Sequence, residues 1–188
     1  MSRTALFTID IQHSLTTPPT SIPTAPRILH AATTLLSRTR HSIQTSRLQH
    51  LPPNLDLVIV QHEESPQTGC LVRGSQAWEV VFLHRESDGN EMLIAKRDRD
   101  AFSSHPDLAG VLRERGVGTV VAFGIQSECC VLSTCMGALG NGFKVVLLRG
   151  AHSTYDAGGK TAGGIERDVE EELVGLGVEV LDWEAWAP

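Results

Sequence analysis

The chain has 188 residues, 41% of them hydrophobic, which is enough to bury one substantial core and predicts a single domain over residues 1–188. Its formal net charge of −6, without a long Lys/Arg run, argues against a nucleic-acid or membrane partner. The N-terminus becomes acidic too early for a signal peptide, and no apolar run approaches the length that spans a bilayer, so we expect a cytoplasmic protein.

The first part of the chain predicts two buried strands on either side of a loop and a long helix. Residues 5–9 form a short apolar run without alternation, which is typical of a strand covered on both faces. Residues 14–23 are rich in Pro, Ser and Thr, and we expect this long loop to lie over a ligand site. Apolar residues at helical spacing predict a helix over residues 24–51, and residues 55–60 predict the second strand.

Four further strands follow, and they alternate with helices. Residues 65–90 show little pattern, after which residues 91–95 predict the third strand. The remaining predicted elements are a helix at 106–115, a strand ending at 123, a helix from 128, a strand at 143–148, a helix at 164–176 and a strand at 178–181. Because parallel neighbours need crossover connections, this alternation predicts an α/β fold with a mainly parallel six-stranded sheet and helices on both faces.

Two adjacent cysteines, Cys129 and Cys130, lie in the first turn of the helix that follows the fourth strand. Free N–H groups and the positive end of the helix dipole favour a thiolate there, so either cysteine could be a nucleophile. A buried structural cysteine is the alternative, because free cysteine is among the most buried residue types. With Cys70 and Cys135 the chain has four cysteines and no C-x-x-C pair, so neither a disulfide framework nor a zinc site is indicated.

Polar side chains follow three of the predicted strands. Asp10 follows the first strand, Lys96 the third, and the cysteine pair the fourth. Ligands of parallel α/β sheets bind beyond the carboxyl ends of the strands, so we expect these groups to meet at one edge. Alone, such an Asp is commonly a turn residue and such a Lys is usually solvated. Their convergence favours a shared site.

Three blocks of sequence, in order, resemble the isochorismatase-like cysteine hydrolases, which include nicotinamidases and N-carbamoylsarcosine amidases. Residues 7–12, FTIDIQ, resemble the family's strand ending in Asp-x-Gln. Residues 95–102, AKRDRDAF, resemble its Lys segment that closes in Ala-Phe. Residues 124–131, GIQSECCV, resemble its Gly-(Ile/Val)-x-(Thr/Ser)-x-x-Cys-Val signature. The match in spacing identifies Cys130 as the nucleophile and Cys129 as its neighbour.

The resemblance implies a doubly wound sheet and a catalytic triad of Asp10, Lys96 and Cys130. In this triad Cys130 attacks a small amide, imide or carbamoyl substrate and forms a thioester, Asp10 moves the protons, and Lys96 favours the thiolate. It also implies a non-proline cis peptide bond at 125–126 and a homodimer or homotetramer. Residues expected to bind the substrate or form an oxyanion hole are Gln12, His62, Phe102, Gln126 and Cys129.

The chain departs from the family pattern at two places. Metal-binding members carry an Asp-x-His with a second His nearby, whereas residues 61–64 read QHEE, so we expect no metal and no cofactor. Gly150-Ala151 replaces a frequent Asp-Ala pair after the fifth strand. Two alternatives stay open: an isochorismatase-type vinyl ether hydrolase, and an inactive binding or regulatory protein on the same fold. A redox role for the adjacent cysteines is disfavoured by disulfide geometry.

The ligand is a small molecule whose identity the sequence does not specify. Three loops, residues 14–23, 62–74 and 152–164, are expected to shape its pocket. No rule that links sequence to structure derives a ligand from such loops. The sequence therefore predicts the chemistry of the site more closely than it predicts the substrate.

Overall fold

A six-stranded sheet forms the centre of the computed structural model, which describes residues 2–85 and 88–188. Its strands are β1 (Arg3–Ile9), β2 (Leu55–His62), β3 (Glu91–Lys96), β4 (Val117–Ile125), β5 (Lys144–Ser153) and β6 (Glu179–Asp182). They lie in the order β3-β2-β1-β4-β5-β6, and every neighbouring pair is parallel. The α/β fold with a doubly wound parallel sheet is therefore confirmed.

Helices cover both faces of this sheet. They are α1 (His13–Thr16), α2 (Ala25–Leu48), α3 (Ala101–Ser104), α4 (Leu108–Glu114), α5 (Leu132–Gly140) and α6 (Ala162–Gly175). The apolar side of α2 packs on one face, and α3 to α6 pack on the other. A π-helical turn, Ser127–Val131, leads from β4 into α5. Within residues 2–85 and 88–188, no helix combines the length and the apolar character that crossing a membrane requires.

Strand β5 continues five residues past its predicted end, to Ser153. Its pairing with β4 shifts between Ala122, which lies opposite Leu147, and Gly124, which lies opposite His152. The extra residues of β5 bulge out, and Gly150 has a φ of +80° within the bulge. A Cβ at this glycine would lie 3.0 Å from the Trp183 ring, so both the backbone angle and the packing favour glycine.

The order of the strands reverses between β1 and β4. From these neighbours the chain winds outward in opposite directions, which opens a crevice at their carboxyl ends. Gly124 lets the two strands approach closely there. A Cβ at Gly124 would lie 2.1 Å from the Ile9 carbonyl oxygen, and its φ of +138° disfavours any other residue.

Candidate active site

Three residues predicted to act together, Asp10, Lys96 and Cys130, meet in this crevice and are called the cavity cluster below. Lys96 Nζ lies 2.8 Å from Asp10 Oδ2, and both residues are 1% exposed. Cys130 is 9% exposed, and its Sγ lies within 4.8 Å of the Asp10 carboxylate. The structure thus assembles a carboxylate, an ammonium and a thiol from three separate strand ends.

Each member reaches the cluster in a different way. Asp10 follows β1 with a φ of +51°, a left-handed angle that Asp tolerates better than most residues. Lys96 ends β3, which is separated from β1 by β2. Neighbouring strands lie about 4.8 Å apart, so Nζ reaches Asp10 only because the lysine side chain is long. Cys130 is the fourth residue of the π-helical turn after β4.

Burial and the Asp10 carboxylate raise the pKa of the Cys130 thiol, which is therefore protonated at rest. Burial lowers the pKa of Lys96, but Asp10 and Cys130 outweigh it and hold the pKa above its usual value. The pKa of Cys130 is raised by burial and then by Asp10, while Lys96 lowers it. Lys96 therefore acts on the thiol in the expected direction but does not prevail. A thiolate would have to form as the proton moves to a neighbouring base.

A cavity of about 240 Å³ is lined by Asp10 and Cys130 but not by Lys96. His62, Gln126 and Cys129 also line it, in agreement with their expected place near the substrate. The loops 14–23 and 62–74 contribute Leu15, Glu64, Cys70 and Leu71, and Arg99 and Ile125 complete the wall. The third loop, 152–164, contributes no residue to this wall among the described residues. Contact of any of these side chains with substrate stays a prediction.

Two residues expected at the site have other contacts. The Gln12 carboxamide donates to the carbonyl oxygens of His62 at 2.9 Å and Trp78 at 2.6 Å, and it accepts from the His62 N–H at 2.9 Å. These bonds occupy it in joining β2 to the segment after it. Phe102 stacks on Phe7, with ring centroids 5.8 Å apart, and belongs to the core beneath the sheet. Neither lines the cavity, because each is held by the fold itself.

The peptide bond between Ile125 and Gln126 is cis, as the resemblance implied. The carbonyl oxygen of Gln126 accepts from the N–H groups of Cys129 and Val131, each at 3.1 Å, and so begins the π-helical turn. The N-terminus of this turn is directed at the cavity that Gln126, Cys129 and Cys130 line. The formation of an oxyanion hole by its other N–H groups stays a prediction.

A resident metal ion does not fit the donor atoms of this cavity. Within the described part of the chain, Asp10, His62 and Cys130 form a group whose ligand atoms lie within 4.8 Å of one another. However, the Lys96 ammonium lies 2.8 Å from Asp10 and 3.2 Å from His62 Nδ1, so it repels a cation and occupies both donors. Independence from a metal stays a prediction.

Sequence reasoning assigned residues 152–154 to a loop and missed their contacts. His152, Ser153 and Thr154, called the β5-end cluster below, are each fully buried. They are bound to the π-helical turn, to α2 and to α6. A run of three polar residues shortly after the apolar run 143–148 was the available signal, because buried polar groups must find partners.

Comparison with known proteins identifies the family. Residues 4–184 match the family model of the isochorismatase domain. The chain belongs to the isochorismatase family. This confirms the resemblance of the three sequence blocks and makes the chain a member of a family of hydrolases.

Two curated relatives of this isochorismatase-family chain are streptothricin hydrolases from Streptomyces noursei. One is 31% identical over 152 residues, which cover 81% of this chain and 55% of the relative. The other is 30% identical over 153 residues, covering 81% of this chain and 50% of the relative. The chain therefore spans about half the length of the curated relatives it matches.

Solved structures share the fold across nearly the whole chain. An isochorismatase-like hydrolase from Alkaliphilus metalliredigens has a TM-score of 0.77 and 22% identity, covering 97% of this chain and 96% of its own. N-carbamoylsarcosine amidase from Thermoplasma acidophilum has a TM-score of 0.72 and 18% identity, covering 99% of each. Pyrazinamidase of Pyrococcus horikoshii in complex with zinc has a TM-score of 0.67 and 24% identity, covering 96% and 99%.

Proposed function

We propose that this member of the isochorismatase family hydrolyses a carbon–nitrogen bond of a small amide, imide or carbamoyl compound through a thioester on Cys130. The observation that carries the proposal is the buried contact of Asp10, Lys96 and Cys130 beside a cavity. The names of relatives agree with it, because streptothricin hydrolase is among the curated matches and an amidase is among the similar structures.

The first half of the proposed reaction makes the thioester. Asp10 accepts the proton of Cys130 as Sγ attacks the carbonyl carbon, since the protonated thiol is a poor nucleophile. N–H groups at the start of the π-helical turn stabilise the oxyanion of the tetrahedral intermediate. Asp10 then donates its proton to the nitrogen, the carbon–nitrogen bond breaks, and the amine or ammonia leaves.

The second half returns the enzyme to its starting state. Asp10, again a carboxylate, takes a proton from water while the water oxygen attacks the thioester carbonyl. The carbon–sulfur bond breaks, the acid is released, and Cys130 regains its proton. Lys96 stays an ammonium throughout, because the neighbouring carboxylate keeps its pKa high. Its charge offsets the negative charge that passes between Asp10, sulfur and the oxyanion.

The size of the cavity limits the reacting part of the substrate. Water occupies about 30 Å³ per molecule in the liquid, so a cavity of about 240 Å³ has the volume of about eight water molecules and accommodates a reacting group of roughly eight non-hydrogen atoms. An open groove of about 550 Å³ adjoins the cavity and shares His62 and Glu64 with it. A substrate with a small reacting group and a larger polar substituent would fit the two spaces together.

The test is a screen of small amides, ureas and imides for release of ammonia or amine, followed by intact-mass analysis during turnover of a confirmed substrate. We expect wild-type protein to carry an acyl adduct that peptide mapping assigns to Cys130. Turnover that proceeds equally well in Cys130→Ala would contradict the thioester and favour vinyl ether hydrolysis or another cysteine-independent reaction.

A further inference from the structure

The three residues of the β5-end cluster bind different neighbours although they are consecutive. His152 Nδ1 lies 2.8 Å from Ser127 Oγ, and Thr154 Oγ1 donates to Glu128 Oε1 at 2.8 Å. Ser127 and Glu128 are the first two residues of the π-helical turn that carries Cys130. His152 therefore contacts the first residue of the turn, and Thr154 contacts the second.

The third member is bound elsewhere. Ser153 Oγ donates to Glu166 of α6 at 2.5 Å and accepts from Thr24, at the start of α2, at 2.5 Å. It has no hydrogen bond to the turn among the described residues. Ser153 is as deeply buried as its two neighbours and belongs to the same strand end, so it serves as a matched comparison for them.

The second ring nitrogen of His152 faces an acidic side chain of α6 without a hydrogen bond among the described residues. His152 Nε2 lies 3.3 Å from Glu170 Oε1 on α6, and Glu170 Oε2 accepts from Arg149 Nε at 2.9 Å. Burial raises the pKa of Glu170, but the contacts with His152 and Arg149 outweigh it and lower the pKa, so the carboxylate stays charged. None of the residues in this chain of contacts lines the cavity.

We propose that His152 and Thr154 are positioning residues that fix the π-helical turn and thereby aim Cys130 Sγ at Asp10 and the substrate carbonyl. The inference rests on the proposed function of Cys130. Lys96 is the last residue of β3, and Asp10 directly follows β1 with its N–H bound to the Val60 carbonyl oxygen, whereas Cys130 lies on a turn beyond the end of β4. A misplacement of about 1 Å at a reacting group can lower a rate by about 10²-fold.

The experiment compares Thr154→Val and Ser127→Ala, which each remove one contact with the turn, with Ser153→Ala as control. We expect the first two to lower kcat by about tenfold or more with little change in KM. They should also slow the alkylation of Cys130 by iodoacetamide, measured by peptide mass spectrometry. Ser153→Ala should lower the melting temperature by a similar amount but leave kcat and the alkylation rate unchanged.

Two further variants separate positioning from general stability. Thr154→Ser keeps the hydroxyl and should restore kcat. Glu128→Ala breaks the Thr154 contact from its partly exposed side, which tests the contact even where Thr154→Val does not fold. If Thr154→Val and Glu128→Ala both fold, the variant that combines these two substitutions should lose no more kcat than either one alone, because both remove the same interaction.

The outcomes distinguish this inference from the proposed function. Equal losses of kcat in Thr154→Val, Ser127→Ala and Ser153→Ala, or alkylation that none of them changes, would overturn the positioning role. Hydrolysis that persists in Cys130→Ala would instead overturn the thioester. The alkylation rate needs no substrate, so it tests the position of Cys130 in either case.

Discussion

Two buried polar clusters lie at the carboxyl edge of the sheet, and they differ in how their groups are satisfied. In the β5-end cluster, the hydroxyl groups of Ser153 and Thr154 and the Nδ1 atom of His152 have hydrogen-bond partners in neighbouring elements. Only His152 Nε2, which faces Glu170 at 3.3 Å, has no hydrogen-bond partner among the described residues. In the cavity cluster, neither carboxylate oxygen of Asp10 has a hydrogen-bond partner among the described residues, although Oδ2 is paired with Lys96. A buried acceptor left open beside a cavity is available to a thiol, a water or a substrate.

The two clusters therefore differ in the role that we expect for them. Most groups of the β5-end cluster are hydrogen-bonded within the protein and hold the geometry, whereas Asp10 and Cys130 face the cavity. Substitutions in the cavity cluster should therefore slow or abolish the reaction even where the protein still folds. The predictions below test that expectation.

The largest effect is expected for the nucleophile. Cys130→Ala should show no turnover and no acyl adduct, because the covalent step is lost. Cys129→Ala is the matched control, since a step of one residue in a helix rotates a side chain by about 100°. It should keep most of its activity. An inactive Cys129→Ala beside an active Cys130→Ala would assign the nucleophile to the other cysteine.

Loss of the proton acceptor should have the next largest effect. Asp10→Asn keeps the shape of the side chain but cannot take the thiol proton or activate water, so we expect kcat to fall by at least ~10²-fold. The melting temperature should fall as well, because the buried Lys96 ammonium loses its charged partner, so kcat is compared at a temperature at which both proteins are folded. Steady-state kinetics on a confirmed substrate measure the first effect, and a variant with near wild-type kcat would remove Asp10 from the mechanism.

Removal of Lys96 should change the reactivity of the thiol. Because Lys96 lowers the pKa of Cys130 against burial and Asp10, Lys96→Ala should move the alkylation of Cys130 to higher pH. Arg99→Ala is the control, since Arg99 lines the same cavity but is exposed. Alkylation rates measured across pH compare the two. Identical profiles for wild type and Lys96→Ala would contradict the role of the ammonium.

The smallest effect concerns His62 and the pH dependence of stability. Burial and Lys96 hold its pKa in the folded protein below the ordinary value of 6.5. As the pH falls, the unfolded chain therefore binds the proton first. The contribution of His62 to the stability of the fold is fully present above pH 6.5 and is lost as the pH falls through the lower pKa of the folded state. Thermal melts from pH 7 to pH 5 should show a smaller decline for His62→Gln than for wild type, and His41→Gln, an exposed control, should resemble wild type.

The sequence was sufficient to predict the cavity cluster because its signals are local. Asp10, Lys96 and Cys130 each follow an apolar run that predicts a buried strand, and parallel strands bring such ends to one edge. The spacing of the third block distinguished Cys130 from Cys129, which periodicity alone could not do. Both the fold class and the meeting of these three side chains were therefore within reach of the sequence.

Other features depend on contacts that are distant in sequence. The path of β5 through Gly150 is set by pairing with β4 and by Trp183, neither of which a strand pattern reveals. The use of Gln12 in the fold depends on backbone groups of His62 and Trp78. A motif identifies which residues belong together, but it does not show which of them face the ligand.

Because Lys96 reaches Asp10 across β2, the site depends on the stability of the strand at the edge of the sheet. Strand β3 is an edge strand of six residues, and edge strands open more readily than central ones. If β3 frays, the ammonium leaves Asp10 although the other five strands remain paired. We expect activity to disappear at a lower denaturant concentration than the far-ultraviolet circular dichroism signal, whereas coincident curves would show that the edge and the centre unfold together. If activity is lost first, the protein has a folded but inactive form whose population depends on the stability of β3.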